Sequence, residues 1–341
     1  MLQLFCACEE IDEAANKLLS GGGLGRDQLD EIIKEVDDRL RVPLPGGAWH
    51  IGLPGAVPWA LLPPLLILGG LSARCLVLVS CSIMPALIWW HRRSLRLRRR
   101  SCFLLSWMLA SLVTEVAIYS LALRFGFLMQ SQVATASFSL PLLLTLVSFV
   151  LVKRVDPTGC LGVRDPDAAT ARSERCKVCA VRVPRYDHYC AWVNEPIGAA
   201  NHRAYLLFVV SMSSTCIVGG VQLILAASSG GWSPRLAWEG NRSSVLLSCG
   251  CYGMAVGAAV SALLLHQVVL VWSGRTTYEA RKERHRGGEA ATPAEAVRRP
   301  LSHSFRSFLD QTAPLTVTAA AALRGRPAAA DDDESGDKNS D

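Results

Sequence analysis

Charge is scarce in this sequence. Only 19% of its 341 residues are Asp, Glu, Lys or Arg, while half are hydrophobic, and mean hydropathy is positive. Amphipathic spacing is scarce too, because most apolar residues come in long runs. A run of about 18 or more apolar residues has no polar face to give to water. These shortages exclude the pair of soluble domains that the length would otherwise allow. No basic stretch precedes the short apolar start of MLQLFCACEEIDEAA, so no cleavable signal is expected. The net charge of +6 does not point to nucleic acid. The arginines sit in short blocks beside the apolar runs, where membrane orientation explains them.

What is present is sequence suited to lipid. Apolar stretches lie at about 55–73, 75–90, 103–123, 133–152, 204–227 and 245–272. They predict an all-α, multi-pass integral membrane protein of about six transmembrane helices, with a small cytosolic cysteine-rich segment between spans 4 and 5. The first two stretches are separated only by Arg74 and contain Pro58, Pro63, Pro64 and Pro85. They read as two kinked spans or as one re-entrant hairpin, and either choice leaves the downstream topology unchanged. The expected organisation is a cytosolic N-terminal segment at 1–53, spans 1–4 at 54–152, the cysteine-rich segment at 153–203, spans 5–6 at 204–272, and a cytosolic tail at 273–341. Within the first segment, Asp27 to Arg41 places Leu29, Ile32, Ile33, Val36 and Leu40 on one helical face. The tail after about residue 287 is rich in Ala, Arg and Pro, ends in DDDESGDKNSD, and is expected to be disordered.

Orientation follows from the basic residues. His91 to Arg100 (HRRSLRLRRR) is the densest positive block and should stay cytosolic. Spans 3 and 4 then turn in the lumen near residues 124–127, and spans 5 and 6 enclose a lumenal loop at 228–244. Asn241-Arg242-Ser243 is a glycosylation sequon in that loop, too close to the next span to be a good acceptor. Glu115 falls mid-span, where a carboxyl must face the bundle interior. A structural hydrogen bond, or a role near an acyl chain or transport path, would account for it.

Twelve cysteines are present. Cys75, Cys81, Cys102, Cys216, Cys249 and Cys251 lie in or beside apolar runs and read as small hydrophobes. Cys160, Cys176, Cys179 and Cys190 lie instead in a polar segment. Cys176-x-x-Cys179 has the spacing of half a zinc site. Asp187-His188-Tyr189-Cys190 puts a carboxylate, an imidazole and a thiol within four residues. A thiol near its ordinary pKa of about 8.5 is only slightly ionised at neutral pH. A neighbouring imidazole can take its proton and a carboxylate can orient that imidazole, the arrangement of an activated nucleophile.

This segment resembles the cysteine-rich domain of the DHHC-family protein palmitoyltransferases. The match runs through Cys176, Cys179, Asp187, His188, Cys190, Trp192, Ile197, Gly198, Asn201 and the aromatic Tyr205. Asp156-Pro157-Thr158-Gly159 is similar to the family's Asp-Pro-Gly, and Thr276-Thr277-Tyr278-Glu279 to its Thr-Thr-x-Glu. The resemblance implies that Cys190 takes an acyl group from palmitoyl-CoA, becomes an S-palmitoyl intermediate, and passes the group to a cysteine of another protein. It implies His188 as general base and Asp187 as its orienting acid, with the spans sheltering the acyl chain. The partners implied are the bilayer and membrane-associated proteins with cytosolic cysteines, on an endomembrane such as Golgi or endoplasmic reticulum.

Departures from the family cluster at its zinc ligands. The second histidine of its tetrapeptide, a zinc ligand, is Tyr189, as in the family's ankyrin-repeat branch, although residues 1–53 hold no such repeat. Other ligand positions carry Arg175, Arg182 and Glu195-Pro196, and Cys160 is displaced by about two residues. The Pro that usually follows the nucleophile is Ala191. Zinc is therefore doubtful, with at most one weak site at Cys176 and Cys179. The alternative to an enzyme is a catalytically inactive DHHC-like membrane scaffold. A small transporter using Glu115 and His266 is a remoter reading.

Overall fold

A computed structural model of the chain describes residues 26–44, 47–97, 100–128, 131–158, 173–228 and 241–285. Cys160, the core of the 228–244 loop and the tail beyond 285 lie outside them. Helix α1 (Arg26–Arg39) leads into a two-stranded antiparallel pair, β1 (Arg41–Leu44) with β2 (Gly47–His50). A carboxylate oxygen of Asp37 accepts from the backbone N–H of Leu53, which ties α1 to the helix that follows.

The apolar runs become α2 (Leu53–Gly69), α3 (Ala73–Leu97), α4 (Phe103–Arg124), α5 (Gln132–Arg154), α6 (His202–Ala227) and α7 (Asn241–Ser273). Five of these, α3 to α7, are long and apolar enough to cross a membrane. The sixth, α2, has 17 residues and contains three prolines, so it reaches only about 26 Å against a hydrocarbon core of about 30 Å. A turn at Gly70–Ser72 separates it from α3. Large apolar side chains such as Val133, Leu71 and Leu265 stand on the outside of the bundle, as expected where lipid replaces water.

Lipid gives helices no hydrophobic reason to associate, so close packing and polar contacts must hold the bundle. In the α6–α7 pair, a Cβ added to Gly250 would lie 2.8 Å from the carbonyl oxygen of Gly220, so glycine is required where the backbones meet. Ser248 donates to the carbonyl of Leu66 at 2.8 Å, joining α7 to α2. Tyr119 donates to Gln222 at 2.7 Å, and Gln222 in turn donates to the carbonyl of Ala134 at 3.0 Å, linking α4, α6 and α5. Glu115 is buried among Cys216, Gly219 and Gly253, inside the bundle as its charge demands. Among the span cysteines, Cys216 and Cys249 are buried, whereas Cys81 faces outward and Cys75, Cys102 and Cys251 are half-buried.

Between α5 and α6 the chain forms two more hairpins, β3 (Ser173–Arg175) with β4 (Arg182–Pro184) and β5 (His188–Cys190) with β6 (Glu195–Ile197). These short strands are the departure from an all-helical expectation. Each hairpin turn contains a residue at positive φ, Ala180 at 59° and Asn194 at 54°. Gly198 locks the two hairpins together, since a Cβ there would lie 2.3 Å from a Val183 methyl carbon. Helix α8 (Thr277–His285) follows α7 and starts with a reciprocal cap. Thr276 N–H donates to Glu279 at 2.9 Å and Glu279 N–H to the Thr276 hydroxyl at 3.2 Å.

Candidate active site

The second hairpin carries the chemistry. In β5, alternation puts His188 and Cys190 on one face and Tyr189 on the other. His188 Nδ1–H donates to Asp187 Oδ2 at 2.6 Å, and the same imidazole shares its face of β5 with the Cys190 thiol, with which it interacts electrostatically. Asp187 is 3% exposed. It accepts further hydrogen bonds from the Thr277 N–H at 2.5 Å, the Thr277 hydroxyl at 3.0 Å and Gln267 Nε2 at 3.4 Å. The end of α7 and the start of α8 therefore hold the carboxylate.

Electrostatics follow from this geometry. Burial works to raise the Asp187 pKa, but the His188 hydrogen bond and charge and the Thr277 N–H outweigh it and hold the carboxyl well below its usual range. Burial disfavours a charged His188, yet its bonds to Asp187 and Cys190 raise its pKa to about 10. Burial also opposes ionisation of Cys190. The His188 hydrogen bond and charge, aided by the backbone N–H groups of Val193 and Trp192, bring its pKa below the ordinary thiol value. The surroundings of the three groups favour the ionised form of each.

Cys190 is 5% exposed. It shares an apolar cluster with Met108 and Leu112 of α4, Val152 of α5 and Phe208 and Met212 of α6. The sulfur thus sits where the polar segment meets the span interior. A cavity of about 770 Å³ between α4 and α5 is lined by Ser120, Arg124, Ser131 and Thr135. It lies at the opposite end of those helices from Cys190, so it is not a sleeve for an acyl chain carried on that sulfur.

A sequence profile for the DHHC palmitoyltransferase domain matches residues 167–284, a stretch that includes both hairpins, α6, α7 and nearly all of α8. That stretch is therefore a DHHC palmitoyltransferase domain. Palmitoyltransferase ZDHHC23-B of Danio rerio is 23% identical over 348 residues, covering 82% of this chain and 81% of that protein. Palmitoyltransferase ZDHHC23 of Mus musculus is 23% identical over 333 residues, 77% of each chain. Palmitoyltransferase ERF2 of Kluyveromyces lactis reaches 31% over 108 residues, covering 32% of this chain and 28% of that protein.

The DHHC zinc positions can now be compared with the side chains that fill them. Cys176 is buried at the start of the first hairpin turn, and the Tyr186 hydroxyl donates to its sulfur at 3.8 Å. Cys179 hydrogen-bonds the same sulfur. That bond outweighs burial and lowers the Cys176 pKa to about 5, while Cys179, bonded to that thiolate, is pushed upward. Two thiols with a phenol beside them do not make the four-ligand set that structural zinc takes. Among the described residues, no cluster of three His, Cys, Asp or Glu donors includes either cysteine. The one such group is Asp37, Asp38 and His50, in the N-terminal region.

At the second hairpin Tyr189 and Glu195 find partners other than a metal. Tyr189 donates its hydroxyl to Asn194 Oδ1. Glu195, 3% exposed, accepts from Lys153 Nζ at 2.8 Å and lies 3.5 Å from Arg100. Asn201 spans the base of the hairpin, accepting from Gly198 N–H at 2.9 Å and donating to the carbonyl of Pro196 at 3.0 Å. Sequence reasoning missed Gln267, the ion pairs of Glu195, and the placement of the Tyr205 ring 5.3 Å from that of His188. Gln267, a polar residue in an apolar span, carried a signal of its own.

Proposed function

We propose that Cys190 is the nucleophile of a two-step protein S-acyltransferase and that His188 and Asp187 activate it. The Cys190 sulfur attacks the carbonyl carbon of an acyl-CoA thioester, and the carbonyl electron pair moves to oxygen. When that pair returns, the bond to the CoA sulfur breaks. CoA leaves with the proton that His188 carried, and Cys190 keeps the acyl group as a thioester. In the second step His188 takes the proton of an incoming protein thiol, whose sulfur attacks the same carbon and releases Cys190 as thiolate. Asp187 holds the imidazole in the tautomer and direction that both steps need.

The observation that carries this reading is the Asp187–His188 hydrogen bond, with the Cys190 sulfur on the same face of the strand as that imidazole. Its position at the mouth of the span interior supports a long-chain donor, with palmitoyl-CoA proposed. Each methylene sheltered among the spans favours binding by about 0.8 kcal/mol. Basic residues around the site favour a cytosolic placement, so the acceptors proposed are cysteines of membrane-associated proteins at the cytosolic face of an endomembrane. The segment is proposed to fold without zinc. An inert scaffold would have no use for a buried ionised aspartate held by two helices.

The test is labelling with a clickable palmitate analogue followed by hydroxylamine. Wild type should carry hydroxylamine-labile label that Cys190→Ser lacks. Equal label on both proteins would remove Cys190 from the reaction.

A further inference from the structure

Attack on the thioester places a negative charge on the carbonyl oxygen, and nothing described so far receives it. Tyr205 stands beside the reaction centre, in the first turn of α6. Its ring meets that of His188 edge-on, at 68°. The side chain is 1% exposed, and its hydroxyl finds no nitrogen or oxygen partner. The charged groups that face it are the Cys190 sulfur first and the Asp187 carboxylate second. A buried O–H without an acceptor is costly, and the resemblance that includes this position asks only for an aromatic ring. Phenylalanine would fill the same space without that cost, so the hydroxyl needs its own explanation.

We propose that Tyr205 is a further catalytic residue whose hydroxyl donates a hydrogen bond to the negative charge at the Cys190 reaction centre. Before attack the charge is on sulfur. As the bond between Cys190 and the carbonyl carbon forms, the charge moves to the carbonyl oxygen, and the O–H follows it. When the electron pair returns and CoA departs with the proton from His188, Tyr205 retains its own proton throughout. A fixed donor in a site closed to water needs little rearrangement as charge develops, which is why such donors act strongly on rate. The inference rests on the acyl-transfer reading and adds a donor to it.

The experiment compares the full-length wild type with Tyr205→Phe in nanodiscs. One readout is single-turnover CoA release from palmitoyl-CoA. The other is the pH profile of iodoacetamide alkylation at Cys190, read by peptide mass spectrometry. The variant should release CoA about 100- to 1,000-fold more slowly, with KM and cooperative unfolding retained. Its alkylation should begin to fail at a higher pH than in wild type. Release at the wild-type rate overturns the proposal, and so does a variant that has lost cooperative unfolding, which would assign Tyr205 to packing. If wild type releases no CoA, the acyl-transfer reading falls on its own. The alkylation profile then still decides, because an unshifted profile overturns the donor role.

Discussion

At Asp187 the decisive quantity is the number of donors aimed at one carboxylate. Four hydrogen bonds reach it, from His188, Gln267 and twice from Thr277. Together they keep it charged where burial alone would neutralise it. Asp187→Asn should leave the backbone in place yet deprive His188 of its acceptor. Autoacylation should fall about 100- to 10,000-fold, the range associated with loss of a general acid–base partner. The pH dependence has a definite sign. With the Cys190 pKa below its ordinary value, alkylation at Cys190 should stay fast as pH drops below about 8.5 and fail only when pH passes the depressed value. In Asp187→Asn that failure should move to higher pH. Peptide-level readout is needed, since the Cys179 hydrogen bond also lowers the Cys176 pKa. An unmoved profile would show that Asp187 does not act on the thiol through His188. Thr277→Val removes one hydroxyl donor of about 1 kcal/mol, so it should slow autoacylation by roughly fivefold.

The hairpins show how a small element can be fixed by ion pairs and side-chain hydrogen bonds. Glu195 sits in the β5–β6 register opposite Cys190, and its ion pairs with Lys153 and Arg100 hold that strand to the ends of the spans. Lys153→Met would leave a buried carboxylate short of a charged partner. It should destabilise the protein by about 1.5–3 kcal/mol, the scale of a hydrogen bond to a charged group. In detergent, the unfolding midpoint should fall for Lys153→Met and stay put when a strong zinc chelator is added to wild type. A large fall on chelation would sink the metal-free account. The same element marks the limit of what the sequence reveals. Runs of apolar residues announce spans because lipid demands them over their whole length. Asp187, His188 and Cys190 could be linked because they are neighbours in the chain. Gln267, Thr277 and Tyr205 reach the site from α6, α7 and α8, and no local pattern encodes that meeting. Arg175, Arg182, Tyr189 and the Glu195-Pro196 pair register in the sequence as lost zinc ligands. What took over at Tyr189 and Glu195 depends on partners at Asn194 and Lys153 that only the fold brings together.

Across the whole molecule, one set of basic residues serves two purposes. Arg100 closes the positive block that begins at His91, Lys153 ends α5, and both lie at the Glu195 hairpin. Positive charge flanking spans selects the cytosolic side, so on the proposed orientation the same residues would also hold the proposed catalytic hairpin there. The turn between α4 and α5 carries only Arg124 and lies at the other end of these helices. The orientation can therefore be tested away from the chemistry. Arg284 is exposed on α8 and Phe125 is 65% exposed in the α4–α5 turn. In sealed microsomes with the cytosolic face outward, Arg284→Cys should react with a membrane-impermeant maleimide at once, and Phe125→Cys only after detergent. The reverse pattern would put Cys190 in the lumen, away from cytosolic acyl-CoA, and the proposed reaction would have no donor there.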